Sequence, residues 1–173
     1  MAGLSLVTRL AGLKIGDTYN QYADSHLRRR RLDEYLQRAD EAPILLVGEA
    51  AGYRGARVSG VPFTSERQLS GTGPAEATAT IVHRVLADLG IEKDILLWNV
   101  VPTHPHRPGE PASNRRASAT EISAARTFLD ELAVGREVVP VGRVAEAALG
   151  IEGIRHPSHG GAAEFRAGLA RLV

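Results

Sequence analysis

Three short, almost wholly apolar runs constrain this chain more than any other feature: Ile44–Val47, Ile95–Val101 and Val138–Val141. Each is preceded by a charged or turn-like residue and gives way to a polar loop containing Gly or Pro. Runs of this kind read as strands buried on both faces, the condition of a parallel sheet. A fourth, shorter strand is expected over Gly153–Arg155. Helical stretches fall between them, near Ala75–Leu89, Ala119–Leu132 and Arg143–Leu149, with a closing helix from about Ala162. Upstream, residues 17–40 read as a helical entry: Asp17 or Thr18 offers a cap, and Tyr22, Leu27, Leu32, Tyr35 and Leu36 recur at helical spacing. Strand–helix alternation predicts an α/β fold. Its expected form is a three-layer α/β/α sandwich around a short, mainly parallel, four-stranded sheet with right-handed crossovers. With 173 residues and no internal repeat or linker, a single domain over 1–173 is expected.

Composition removes several function classes. The chain has no cysteine, so it can form no disulfide framework, no thiolate-held zinc site and no cysteine-held iron–sulfur cluster. No apolar run reaches the roughly 18–20 residues that span a bilayer, and no signal-peptide pattern is present. A cytosolic location without membrane partners is the expectation. The net charge of +1 does not by itself mark a polyanion partner. The arginines are unevenly placed, however: Arg28–Arg31 form a run, and Arg54, Arg57, Arg67, Arg107, Arg115 and Arg116 lie in Gly/Pro/Ser-rich stretches. Guanidinium forks match phosphate oxygens, which suits nucleic acid, although high-GC coding also favours Arg over Lys. The Arg28–Arg31 run reads either as a solvated helix face or as a phosphate-facing patch.

In open parallel sheets ligands bind outside the carboxyl ends of the strands, and here every unusual segment follows a strand. The first is Gly48-Glu49-Ala50-Ala51-Gly52-Tyr53-Arg54-Gly55, running on to Gly60-Val61-Pro62-Phe63-Thr64-Ser65. Glycines directly after a strand let backbone N–H groups approach a ligand. Glu49 stands where a catalytic carboxylate is usual, or is structural. Phe63, among small residues, either offers its face to a flat base or plugs the core. In the second segment Asn99 interrupts an apolar strand, and a buried amide must find partners. Its carboxamide can accept from an imide N3–H and donate to the adjacent O4, a pattern that fits uracil and opposes cytosine. The alternative is an Asn bonded to neighbouring backbone. The third segment is Arg155-His156-Pro157-Ser158-His159-Gly160-Gly161. There His156 is placed to hydrogen-bond a leaving base, and Ser158 or backbone amides to bind phosphate. The spacings of His104, His106, His156 and His159 match no standard zinc pattern.

Together, in this order, the three segments resemble the uracil-DNA glycosylase superfamily from Leu45 to about Ser158. Gly48-Glu49-Ala50-Ala51-Gly52 is similar to the Gly-Glu-Ala-Pro-Gly first motif of the cluster-containing bacterial and archaeal branch. Gly60-Val61-Pro62-Phe63 resembles the base-stacking segment, and Asn99-Val100-Val101 the uracil-reading strand end. Asn114-Arg115-Arg116 with Thr120-Glu121-Ile122 resembles the entry to the next helix, and His156-Pro157-Ser158 the closing motif. The four cluster cysteines are absent, so the chain resembles a cluster-free class. Ala50 stands where the best-known branch has a water-orienting Asp, leaving Glu49 as the nearby carboxylate. Gly52 stands where that branch has a thymine-excluding Tyr, and Tyr53 is the candidate substitute. Gly160 replaces the wedge Leu, a task that falls to His159 or another loop.

The resemblance implies hydrolysis of the N-glycosidic bond of uracil, or other deaminated bases, in single- or double-stranded DNA, with free uracil released. His156 and Glu49 are the expected catalytic residues. Asn99, Phe63, Gly48, Ala50 and Tyr53 are expected around the base, and Ser158, His159, Arg115, Arg116 and Ser65 on the DNA. No cofactor or metal is called for, and a monomer is expected. Two alternatives stand beside this: a non-catalytic binder of damaged bases, and a nucleoside or nucleotide hydrolase using the same crevice.

Overall fold

The apolar runs form strands, each nearly at its expected bounds. The computed structural model describes residues 3–173 and places β1 at Ile44–Ala50, β2 at Ile95–Val101 and β3 at Glu137–Pro140. All pairing is parallel, in the order β2-β1-β3, with Ile44 beside both Ile95 and Glu137. β1 runs past Val47, so Gly48 and Glu49 belong to the strand end rather than to the loop, and Gly48 lies opposite Asn99. Alternate strand residues enter two separate apolar clusters. Leu45, Val47, Leu96 and Trp98 pack with Leu32 and Phe128 on one face, and Ile44, Leu46, Ile95 and Leu97 pack with Val82, Phe165 and Leu169 on the other. The first face is covered by α1 (Leu6–Ala11), α2 (His26–Arg38), α6 (Ala119–Ala133) and α7 (Arg143–Leu149). The second is covered by α5 (Ala77–Leu89) and α8 (Ala162–Ala170). Burial on both faces is why the strands read as continuous apolar runs rather than alternating ones.

The sheet has three strands among the described residues, not the four expected. Gly153–Arg155 contributes only an isolated parallel bridge between Val141 and Ile154. There Ile154 N–H donates to Pro140 O at 2.8 Å and Gly142 N–H donates to Ile154 O at 2.9 Å. The next rung back would need an N–H on residue 140, which is proline and has none. One residue forward, Gly142 adopts φ +84° and caps α7, so the chain leaves the sheet. The ladder is stopped at both ends by residue chemistry.

The helix expected across 17–40 also starts later. Gly16 takes φ +51°, Thr18 bonds Ile15 O and Thr103 Oγ1, and Tyr19 bridges to His104. The cap is Ser25, whose hydroxyl accepts the Arg28 N–H at 3.3 Å. The arginine run proves to be neither a solvated face nor a patch of free cations. Arg28 donates to Val58 O at 3.0 Å, Arg29 to Tyr22 O at 2.7 Å, and Arg31 to Ser59 O at 3.2 Å and to both oxygens of Glu66. Arg30 instead reaches out to Glu34, on the exposed face. Three guanidinium groups thus fasten α2 to the neighbouring loops, and two of them hold α3 (Ala56–Ser59) and α4 (Glu66–Ser70), which flank Phe63.

A second fastening lies at the start of α6. Glu121 is 3% exposed and closes a capping box with Ser118. It also takes the Arg115 guanidinium on both carboxylate oxygens, at 2.9 and 2.5 Å. Gly16 must be bare to make room, since a Cβ there would lie 2.6 Å from Glu121 Cγ. The Arg115 hydrogen bonds pull the Glu121 pKa from 4.5 to about 2. A depressed carboxylate pKa contributes stability that is whole above the unfolded value and is lost as pH falls through the folded one. We therefore expect acid melts monitored by circular dichroism to lose about 2–3 kcal/mol between roughly pH 5 and 2 through this group. Glu121→Gln flattens that part of the profile, and an unchanged acid slope in the variant would show that another group carries it.

Candidate active site

A crevice of about 470 Å³ opens at the carboxyl end of the sheet, and residues from all three segments line it: Glu49, Ala50, Phe63, Asn99, His156 and His159. Behind Phe63 and Asn99, Gly48 carries no side chain because none fits. A Cβ there would lie 2.3 Å from Phe63 Cζ and 2.8 Å from Asn99 Oδ1. The Phe63 ring and the Asn99 carboxamide therefore meet over bare backbone. Phe63 holds φ +51°, a left-handed conformation that costs a non-glycine residue on the order of 1–3 kcal/mol. Surrounding bonds impose it: Ser59 Oγ donates to Thr64 O at 2.6 Å and accepts the Val61 N–H at 3.0 Å. Asn99 is 4% exposed, and its side chain bonds no other described residue, so the backbone-satisfying role does not apply.

The His156 ring is held by its own loop. Ser158 N–H donates to His156 Nδ1 at 3.1 Å, and Ser158 Oγ lies 2.7 Å from the same atom. A nitrogen that accepts a backbone N–H carries no proton, so the neutral ring bears its hydrogen on Nε2. Burial, then the charges of Arg155 and His159, hold the His156 pKa below its ordinary 6.5. The result is a neutral imidazole with one free donor in the crevice. Ser158 is correspondingly engaged, its Oγ lying 3.0 Å from His159 Nδ1 as well. His159 is exposed at the rim with φ +52°. Glu49 is fixed from the α6 side, where its Oε1 accepts the Ala117 N–H at 2.9 Å.

Four expected contacts are placed differently. Tyr53 does not line the crevice: its ring lies beneath the Arg57 guanidinium, 4.1 Å from the ring centre, and its N–H donates to Asn114 Oδ1. Ser65 is fully buried and accepts the Glu76 N–H at 2.8 Å, so it lies out of reach of a DNA strand. Arg115 edges the crevice, but its guanidinium is committed to Glu121 and to the His106 and Arg116 carbonyls. Arg116 is exposed on a different hollow of about 780 Å³ between α6 and α7. That hollow is the larger, yet it holds none of the Asn, Phe or His groups of the three segments.

Sequence reasoning missed Glu76 altogether, and weighed His104 only as a metal ligand. Glu76 precedes α5 and lines the crevice, its Oε2 occupying space that a side chain on Gly52 would need. No motif marks it. His104 is fully buried with Nδ1 2.8 Å from Ala51 O, so Nδ1 carries the proton and steadies the first segment from beneath. Burial holds its pKa below the ordinary value, and its Nε2 has no partner. Among the described residues no group of three or more His, Asp or Glu is placed to hold a metal ion, and no helix is long and apolar enough to cross a membrane.

Comparison with known proteins gives two positive findings. The model of the uracil DNA glycosylase superfamily matches residues 37–169. The crystal structure of wild-type SMUG2 from Pedobacter heparinus superposes with a TM-score of 0.68 at 14% identity, covering 96% of each chain. At that identity the likeness establishes the fold alone. No curated protein matches the chain.

Proposed function

Because the chain belongs to the uracil DNA glycosylase superfamily, we propose that its crevice hydrolyses the N-glycosidic bond of uracil in DNA and so opens base-excision repair. The observation that carries this reading is the unpartnered Asn99 carboxamide facing Phe63 over bare Gly48. Such a slot takes a flat ring on its face and an imide on its edge.

A base within a duplex is out of reach, so the nucleotide flips out, at a cost of a few kcal/mol. Phe63 stacks on the ring, and Asn99 accepts from N3–H and donates to O4. As the C1′–N1 bond breaks, its electron pair leaves with the base and negative charge gathers on the uracil O2. The His156 Nε2–H donates to that oxygen. A neutral imidazole suits this task, since it is already in place and needs no proton uptake. Water adds to C1′, with Glu49 orienting it and taking its proton. Glu49 is suited because the Ala117 N–H holds only one of its oxygens. His159, at the rim, is the side chain best placed to meet the strand as the base leaves the stack. The scheme calls for no residue of a second copy, and a monomer is the working unit of this proposal.

The test is a labelled oligonucleotide carrying one deoxyuridine, incubated with the protein and then cleaved with alkali. Parallel strands carry hypoxanthine or xanthine, and free deoxyuridine is assayed alongside. Cleavage at the deoxyuridine, with free deoxyuridine left intact, is the expected result. Tight binding without an abasic product would favour the lesion-binding alternative, and hydrolysis of the free nucleoside would favour the nucleoside hydrolase.

A further inference from the structure

We infer that Glu76 screens the 5-position of the bound pyrimidine and rejects an apolar substituent there; the inference rests on the uracil reading above. The Glu76 carboxyl lines the same crevice as Phe63, Asn99 and His156. A Cβ on Gly52 would lie 2.3 Å from its Oε2, and one on Gly55 would lie 2.8 Å from the same oxygen. Two bare glycines thus form a backbone cradle, and the carboxyl fills it. Its backbone is fixed on both sides: the Glu76 N–H donates to Ser65 Oγ at 2.8 Å, and its carbonyl accepts the Thr80 N–H at 3.1 Å. The carboxyl itself has neither an ion-pair nor a hydrogen-bond partner among the described residues. Burial accordingly pushes its pKa above the ordinary 4.5.

The shape of the base decides what meets this group. A uracil stacked on Phe63 places its N3–H and O4 against Asn99 and its O2 toward His156, and N1 is joined to the sugar. The C5–C6 edge is all that remains, and of the further groups lining the crevice Glu76, seated over Gly52, is the one carboxyl with no hydrogen-bond partner among the described residues. Uracil presents a small, weakly polar C5–H, which a carboxyl oxygen tolerates. The methyl of thymine would strip water from an unpartnered carboxyl and return no hydrogen bond, the costliest way to bury a polar group. Tyr53, turned beneath Arg57, takes no part.

The experiment measures single-turnover excision from two strands that differ only in carrying deoxyuridine or thymidine opposite guanine. The parent protein is compared with Glu76→Ala and Glu76→Gln. The thymine-to-uracil rate ratio is expected to rise by roughly 10-fold or more in Glu76→Ala, the scale on which one methyl group is discriminated. Glu76→Gln keeps the bulk and removes the charge, so its ratio is expected to rise less. It also serves as the folded comparison should the alanine variant melt early. A ratio unmoved in both variants, with uracil still excised by the parent, overturns the assignment and leaves the proposed function standing. Loss of both activities in folded variants also overturns it, because the group would then serve the chemistry rather than selection. A parent that excises no uracil removes the function and the assignment together.

Discussion

Asn99→Asp lowers uracil excision by about 10⁴-fold, the scale expected when a site built to pair a polar edge faces the wrong one. The wild-type amide offers one acceptor and one donor, matching N3–H and O4. An aspartate offers two acceptors, so O4 meets a negative oxygen at a buried position of the crevice wall. Asn99 is 4% exposed and has no protein partner, so the variant gains no new hydrogen bond to absorb that repulsion. The protonated form of the Asp presents a donor and an acceptor that suit cytosine, and the uracil-to-cytosine ratio therefore falls more steeply than the uracil rate alone reflects. Paired strands carrying uracil or cytosine measure both quantities. An unchanged ratio would mean that Asn99 does not read the base.

His156→Ala reduces the excision rate by about 10²–10³-fold, or roughly 3–4 kcal/mol of transition-state stabilisation. The loss falls on the chemical step, because the Nε2–H meets a charge that develops only as the bond breaks. Binding of a uracil-containing strand, measured by fluorescence anisotropy, changes far less than the single-turnover rate. Burial of the ring, with the Arg155 charge beside it, keeps the imidazole neutral to below its ordinary 6.5, so the contribution of His156 persists as pH falls from neutrality to that value. Equal losses in binding and rate would identify His156 as a binding group instead. Full activity in the variant would remove it from the reaction.

Much of the scaffold was legible because it depends on short-range chemistry. Ile44–Val47, Ile95–Val101 and Val138–Val141 are apolar without alternation, and only a sheet covered on both faces accepts such runs. The order of Glu49 and Asn99 near the ends of their strands, and His156 just past the Val141–Ile154 bridge, brought them to one end of that sheet. The misplaced elements had local causes that pattern reading underweighted. Pro140 withholds the N–H that would have extended a fourth strand, and Gly16 and Ser25 move the helix start downstream of Asp17.

The sequence by itself determined the strand-and-helix alternation, the end of the sheet where the site lies, and the residue types able to stack on, read and release a base. Each of these follows from neighbours along the chain: periodicity, turn residues, and hydrogen-bonding groups set beyond apolar runs. Tertiary structure alone decided how those groups are partnered. It left Asn99 and the His156 Nε2–H free, tied Arg115 to Glu121 and Arg31 to Glu66, buried Ser65, and turned Tyr53 beneath Arg57 while Glu76 took the space above Gly52. The Arg31–Glu66 and Glu76–Gly52 pairings join segments far apart in sequence, and even for the nearer pairs a donor or a carboxylate is recruited or left open only when the docked elements settle which neighbour is within about 3 Å.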